Sequence, residues 1–186
     1  VDGSQRNRKS IDIGNYYTVL LDHTNKDYPK RSNAVIFSGG DNVSSYGKLY
    51  YVFPVNDEKI ASCGKEDMWQ VQIKMDHLKF KTDMYEFSGL LSDLHVNEDS
   101  FESIKNDIIK IIKKKKESDG KNTKDYEVDI KSIYTEREWK NLDRKQALCI
   151  LFGFDETKFE EYLHEMFNAE NLHFSLYDSS KSLPNE

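Results

Sequence analysis

Three side chains between residues 29 and 47 have types and positions suited to holding a nucleotide. Arg31 precedes a predicted strand, Ser38 ends that strand, and Tyr46 lies on a predicted short helix that follows. A guanidinium can clamp a phosphate, a hydroxyl can hold a ribose, and an aromatic ring can stack on a flat heterocycle. Because all three residues lie at strand ends, their order predicts one crevice that brings them together. Ser32, next to Arg31, is a fourth candidate for this crevice.

Short motifs surround these candidates. They are PKRS at 29–32, VIFS at 35–38, YG at 46–47, YVFP at 51–54, KI at 59–60 and DMW at 67–69. Together they resemble small phage-encoded proteins with an ADP-ribosyltransferase-like core, over residues 16–70. The resemblance implies a split β-sheet that binds NAD in a cleft. It assigns Arg31 to the phosphates, Ser38 to the hydroxyl of a Ser-Thr-Ser-type strand and Tyr46 to the nicotinamide. Gly39 and Gly40 depart from that pattern, because a further hydroxyl residue is expected after Ser38.

The resemblance also implies a catalytic glutamate. Transfer of ADP-ribose passes through an oxocarbenium-like centre, which a carboxylate stabilises while it orients the ribose hydroxyl. Glu136 and Glu138 have the Glu-x-Glu spacing that such enzymes favour. The same segment has a structural interpretation, since Thr135 and Glu138 match a capping box at the start of a helix. Glu66 and Asp67 are alternatives, and a chain with this fold but without the glutamate would bind rather than catalyse.

One histidine motif indicates a different chemistry. The segment LHFSL at 172–176 matches the strand motif of two-histidine phosphodiesterases, in which paired imidazoles act as general base and acid. That mechanism needs a second motif. His23, His77 and His95 all lack Ser or Thr two positions later, so His173 is also interpreted as a plain strand histidine.

Composition narrows the possible partners. The formal charge is −6, which disfavours a nucleic-acid partner because phosphate binding needs positive potential. Cys63 and Cys149 are far apart and have no neighbouring His/Cys cluster, so we expect neither a disulfide nor a metal site. No window of the sequence approaches the length of an apolar membrane span. The expected location is therefore the cytoplasm, and the host cytoplasm for a phage-encoded protein.

Hydrophobic patterning predicts an α+β fold, with a small mixed or antiparallel split β-sheet core and a helical C-terminal part. The expected strands are residues 16–21, 34–38, 49–55, 59–63 and 172–177, and residues 128–133 are expected to be extended. The expected helices are residues 84–94, 98–116, 142–152 and 156–167, together with a short one at 42–47. The segment 22–33 is expected to be a loop because turn formers and charges surround Pro29.

The predicted division of the chain has three parts. Residues 5–116 form an α+β core domain, residues 117–127 form a flexible connection, and residues 128–178 form a helical extension with a final strand that packs on the same core. The connection is predicted from a wholly polar stretch that contains Gly120.

Three classes of function remain open on the sequence. The favoured one is an NAD-binding protein of ADP-ribosyltransferase type that acts on a host macromolecule, because the resemblance implies it. The second is a non-enzymatic interaction protein that binds and modulates a host protein, in which case no cleft with converging polar groups is needed. The third is the phosphodiesterase. The acidic charge agrees with both leading classes.

Overall fold

The computed structural model describes residues 14–37, 48–51, 53, 59–64, 71–75, 78–120, 142–152, 156–168 and 172–177. Over these residues the chain has an α+β fold with antiparallel strands and a helical C-terminal part. In chain order the elements are α1 (Tyr16–Thr24), β1 (Ala61–Cys63), β2 (Ile73–Met75), β3 (Leu78–Thr82), α2 (Met84–Asp93), α3 (Phe101–Asp119), α4 (Arg144–Phe152), a 3-10 turn (Glu156–Lys158), α5 (Phe159–Phe167) and β4 (Phe174–Leu176).

The described strands form two separate antiparallel pairs. Strand β1 pairs with β4, so that Ala61 lies opposite Leu176 and Cys63 opposite Phe174. Strand β2 pairs with β3, with an irregular register after Lys74. The predicted strands at 59–63 and 172–177 are thus confirmed in shorter form. The first pair joins the middle of the chain to its C-terminal part.

Helix α1 replaces the strand predicted at 16–21, and that prediction was wrong. Tyr17, Leu20, Leu21 and Thr24 are buried, which is the spacing of one helix face rather than the alternation of a strand. The Thr24 hydroxyl donates to the carbonyl of Leu20 at 2.9 Å. A run of six aromatic and branched residues is too short to distinguish the helical repeat from the two-residue repeat of a strand. Burial against other helices therefore decides the conformation.

Helix α2 confirms the helix predicted at 84–94 and is capped at both ends. The Asp83 side chain accepts the Glu86 N–H at 2.8 Å. At the other end the Val96 N–H donates to the Leu91 carbonyl at 3.0 Å, which forms a Schellman motif. That motif places His95 in the left-handed region, with φ of 55°. A histidine therefore occupies a position at which glycine is favoured.

Helix α3 confirms the helix predicted at 98–116 and extends beyond it. Ser100 caps its start by accepting the Ser103 N–H at 3.1 Å. Ile104, Ile108 and Ile112 form its buried face. The helix runs to Asp119 and ends at Gly120, whose φ is 59°. Residues 117–119, which the sequence assigned to the connection, are helical.

Helices α4 and α5 confirm the helices predicted at 142–152 and 156–167, and they complete the core. Phe152 contacts Phe159 with ring centroids 4.8 Å apart and ring planes tilted by 31°. Phe87 of α2 contacts Phe152 and Phe167, at 6.1 and 6.0 Å between centroids. Buried residues of α1 to α5 belong to one hydrophobic cluster. The aromatic rings near the C-terminal end therefore fill the same core as α1.

Two further predicted strands are not formed where the structure describes them. Residues 35–37 and 48–51 have no regular secondary structure. The apolar side chains in these segments are exposed, whereas the prediction for 49–55 rested on burial of both faces. The short helix at 42–47 and the extended segment at 128–133 lie outside the described residues.

We predict that His95→Gly stabilises the fold. A left-handed conformation costs a residue with a β-carbon roughly 1–2 kcal/mol. Glycine avoids this cost, but its more flexible unfolded state offsets part of the gain. The free energy of unfolding from urea titration is expected to rise by about 0.5–1 kcal/mol. The control is Leu94→Gly, at the neighbouring position with φ of −87°, which should lower that free energy. A loss of stability in His95→Gly would contradict the prediction.

Candidate functional site

One carboxylate fixes the backbone of two predicted cofactor contacts. Asp22, near the end of α1, accepts the Arg31 N–H at 2.6 Å through Oδ1. Its Oδ2 accepts the Ser32 N–H at 3.1 Å. Hydrogen bonds to an ionised carboxylate are stronger than those between neutral groups. The loop that leaves α1 therefore returns to it, because Asp22 of α1 binds the loop backbone at residues 31 and 32.

The Arg31 side chain lies against α1. Its Nη1 donates to the Thr18 hydroxyl at 3.2 Å, and its Cζ lies 5.4 Å from the centre of the Tyr17 ring. Cations at this distance from an aromatic face are attracted by the ring quadrupole. Burial raises the pKa of Tyr17, although the Arg31 guanidinium acts in the opposite direction. The guanidinium thus takes part in packing between the loop and the helix.

Most of the other sequence-predicted site residues lie outside the described residues. These are Ser38, Tyr46, Glu136 and Glu138, as well as the alternatives Glu66 and Asp67. Of the predicted cofactor contacts, the structure describes Arg31 and Ser32 and brings both to Asp22. Sequence reasoning missed Asp22. The available signal was a helical interpretation of α1, which would have placed Asp22 one turn after Thr18 on the same face.

Further contacts fix the loop that follows α1, which we call the anchored loop (residues 25–37). The Asn25 amide donates to the Phe167 carbonyl at the end of α5, at 2.6 Å. Lys59 Nζ donates to the Asp27 carbonyl at 3.0 Å. Tyr28 meets Phe174 of β4 edge to face, with centroids 6.4 Å apart. The loop is thereby tied to α5 and to both ends of the β1–β4 region.

The anchored loop ends in three exposed apolar side chains. Val35, Ile36 and Phe37 have fractional exposures of 49%, 44% and 58%. We call these residues the 35–37 patch. Lys26 and Lys30, on the same loop, are exposed cations. Consecutive large apolar residues on a fixed loop are typical of a surface that another molecule covers.

A shallow hollow lies elsewhere, between the start of α1 and the turn after α2. Its volume is about 400 Å³, and its lining is Gly14, Tyr16, Ser92, His95, Val96, Asn97 and Glu98. The Tyr16 hydroxyl donates to the Val96 carbonyl at 2.9 Å, and Glu98 accepts the Asn15 N–H. Burial, together with Glu98, raises the pKa of Tyr16 to about 12. The hollow contains none of the predicted nucleotide contacts.

Two observations bear on metal and thiol chemistry in the described part of the chain. There, no three His, Cys, Asp or Glu side chains are grouped so that they could hold a metal ion. Cys63 is half-buried and Cys149 is buried, and the two do not form a disulfide. Burial raises the pKa of the Cys149 thiol to about 12, so it stays protonated at neutral pH. No described helix has the length and apolar character needed to cross a membrane.

His173, which carries the phosphodiesterase motif, lies just before β4 rather than within it. Its φ is 57°, and its carbonyl accepts the Gly64 N–H at 3.3 Å. The residue therefore shapes the turn that brings β4 alongside β1. The pairing of two histidines that the mechanism requires stays a prediction.

Comparison with protein-family models, with curated proteins and with solved structures finds no match for this chain. Its function must therefore be argued from its own residues.

His23 is partly buried and packs face to face against an aromatic ring. Its ring stacks on Phe101 with 3.3 Å between centroids and 4° between planes. Partial burial lowers the pKa of His23; Lys26 and His164 act in the same direction, while Glu160 opposes them. The folded protein therefore favours the neutral imidazole.

We predict that acid destabilises the fold through His23. Because its pKa is lower in the folded than in the unfolded protein, the unfolded state binds more protons below pH 6.5, the ordinary pKa of histidine. The free energy of unfolding should fall as pH drops from about 7.5 to about 5.5. In His23→Phe, which keeps an aromatic ring, this fall should be smaller. The control His173→Asn should retain it, and an unchanged pH dependence in His23→Phe would contradict the assignment.

Proposed function

We propose that this chain is a non-enzymatic interaction protein that binds another protein through the 35–37 patch. The observation that carries the proposal is the exposure of three consecutive large apolar side chains at the end of a loop fixed by α1. Soluble proteins rarely keep such residues exposed together without a partner. Phe37, which is the most exposed of the three, is the expected anchor.

The attachments of the anchored loop support this role. The Asp22 carboxylate holds the backbone of Arg31 and Ser32, and the Asn25 amide ties the start of the loop to α5. A loop that is already ordered loses little conformational freedom on binding, so more of the contact energy appears as affinity. The Arg31 side chain, packed on Tyr17, serves the same purpose.

The charges on the loop indicate the chemistry of the partner. Lys26 and Lys30 are exposed on the same loop as the apolar patch, although the whole chain carries a formal charge of −6. Complementary surfaces place opposite charges around an apolar centre. We infer that the partner offers an apolar pocket with acidic residues at its rim. The resemblance to phage-encoded proteins makes a host protein the expected partner.

We predict that Phe37→Ser weakens partner binding. Truncation of a central aromatic anchor costs about 2 kcal/mol or more, which corresponds to roughly thirtyfold in the dissociation constant. The measurement is capture of host proteins on the immobilised chain, followed by affinity measurement with the purified captured protein. The matched control is Tyr85→Ser, since Tyr85 is an aromatic residue of α2 with 43% exposure. Equal affinities for wild type and Phe37→Ser would refute the proposal.

An NAD-binding protein of ADP-ribosyltransferase type is the second candidate. One observation supports it, because the two described cofactor candidates, Arg31 and Ser32, both donate their backbone N–H groups to the Asp22 carboxylate. We place this candidate second because of the contacts of the Arg31 side chain. The Arg31 guanidinium already contacts Tyr17 and Thr18, so a diphosphate would have to compete with these contacts.

Thermal shift separates the two candidates. We expect no change in Tm at millimolar NAD or ADP-ribose, because the Arg31 guanidinium is engaged within the chain. A true ligand at a hundred times its dissociation constant would stabilise the protein by about 2.7 kcal/mol. A Tm increase that is present in wild type and in Lys30→Ala, but lost in Arg31→Ala, would establish the NAD-binding candidate instead.

A further inference from the structure

His23 lies in the last turn of α1, between two contacts that fix the anchored loop. Asp22, the residue before it, binds the loop backbone at residues 31 and 32. Asn25, which follows α1, donates to the carbonyl at the end of α5 at 2.6 Å. The His23 ring itself stacks on Phe101, the first residue of α3, with 3.3 Å between centroids. The end of α1 is therefore attached to α3, to α5 and to the loop.

The charged and titratable groups that face His23 come from three other elements. They are Lys26 of the anchored loop, Glu102 of α3, and Glu160 and His164 of α5. On α1 itself, the neighbouring Asp22 carboxylate accepts from the loop backbone. Glu160 also has a partner, because Lys105 Nζ lies 2.6 Å from its Oε1. An imidazolium at position 23 would thus face a lysine and a second histidine, while two of the nearby carboxylates are already engaged.

These surroundings favour the neutral ring of His23. Partial burial is the largest cause that lowers the pKa of His23; Lys26 and His164 lower it further, while Glu160 and Glu102 oppose them. A charged ring loses more hydration on burial than a neutral one, so packing on Phe101 disfavours the imidazolium. When the ring leaves Phe101 it regains water, and its pKa returns towards the ordinary value of 6.5.

We propose that the end of α1 is a pH-sensitive switch, in which protonation of His23 breaks its stack on Phe101 and releases the anchored loop. The released form binds more protons below pH 6.5, the ordinary pKa of histidine. The fixed arrangement therefore keeps its full stability well above that pH and loses stability as the pH falls through it. A released loop no longer holds the 35–37 patch in one place, so partner binding should weaken in acid. Only this last step rests on the proposed function.

The release is local, because the end of α1 and the loop can open without the core. The three apolar side chains of the 35–37 patch are already exposed. Tyr17 and Leu20, earlier in α1, belong to the hydrophobic cluster and keep the helix in place. Opening of residues 22–37 therefore exposes little new apolar surface and costs less free energy than global unfolding.

Amide hydrogen exchange of the full chain tests the release. The Arg31 and Ser32 N–H groups, which bind Asp22, should lose protection as the pH falls from about 7.5 to about 5.5. The comparison uses protection factors, which correct for the intrinsic pH dependence of exchange. In His23→Phe the loss should largely disappear, because phenylalanine keeps an aromatic ring against Phe101 and cannot be protonated.

The matched control amide is that of Glu86, which donates to the Asp83 carboxylate at 2.8 Å. This contact also joins a backbone N–H to an aspartate, but at the start of α2, and its protection should not depend on His23. Constant protection at residues 31 and 32 in wild type would show that the stack accommodates the imidazolium, and it would overturn the proposal. An equal loss in wild type and in His23→Phe would overturn it as well.

Two charge variants test the cause with opposite signs. Lys26→Gln removes a cation that lowers the pKa of His23, so the loss of protection in acid should become smaller. Glu160→Gln removes a carboxylate that raises this pKa, so the loss should become larger. Both side chains are exposed, so neither change removes core packing. Shifts of the same sign in the two variants, or no shift in either, overturn the assignment to His23.

Partner binding separates this inference from the proposed function. On acidification, the dissociation constant of the captured partner should rise more for wild type than for His23→Phe. Loop release without such a rise overturns the control of binding by the switch. A chain that releases its loop in acid but captures no partner refutes the proposed function and leaves the switch standing.

Discussion

Packing of α1 against α5 is the contact on which both the core and the anchored loop depend. Tyr17 and Leu20 are almost fully buried in the cluster that the other helices share. Just after α1, the Asn25 amide donates to the Phe167 carbonyl, which α5 leaves without a helical partner. The same helix presents Asp22 and Thr18 to the loop. Because α1 is packed into the core, its contacts through Asp22 and Thr18 hold the anchored loop in a fixed position.

The apolar residues of the chain are divided between two environments. In the described helices they lie on buried faces, and a chain that is 32% charged can cover the outside of those helices with polar groups. In residues 35–37, 49–51 and 53 they are exposed instead. Water contact with these side chains costs free energy that a partner surface would recover.

The sequence predicted the parts of the fold whose pattern is longer than two helical turns. Ile104, Ile108 and Ile112 repeat every fourth residue between a serine cap and a glycine stop, so α3 could be predicted before its neighbours were known. Residues 16–21 contain too few positions to distinguish a helix from a strand. The strand expected at 49–55 had the right composition, but composition cannot show whether another strand lies beside it.

The candidate site was predictable only in part, because its contacts join residues of different elements. Arg31 and Ser32 were proposed as cofactor contacts from their types, and the structure shows that their backbone N–H groups bind Asp22. Their partner Asp22 precedes them by nine and ten positions and belongs to another element. The cation–aromatic contact with Tyr17 likewise joins a loop to a helix face that had been interpreted as a strand. Contacts of this kind follow from tertiary packing and leave no local pattern.

Because Cys149 is buried in the core, the rate at which a reagent modifies its thiol reports how often the core opens. Its side chain is buried in α4 within the hydrophobic cluster shared by α1 to α5, and its thiol stays protonated at neutral pH. A thiol reagent in solution can modify it only while the core is transiently open, since the thiolate is the reactive form. Half-buried Cys63 reports instead on the edge of the β1–β4 pair. The two labelling rates together would distinguish fraying of that sheet from cooperative unfolding of the helices.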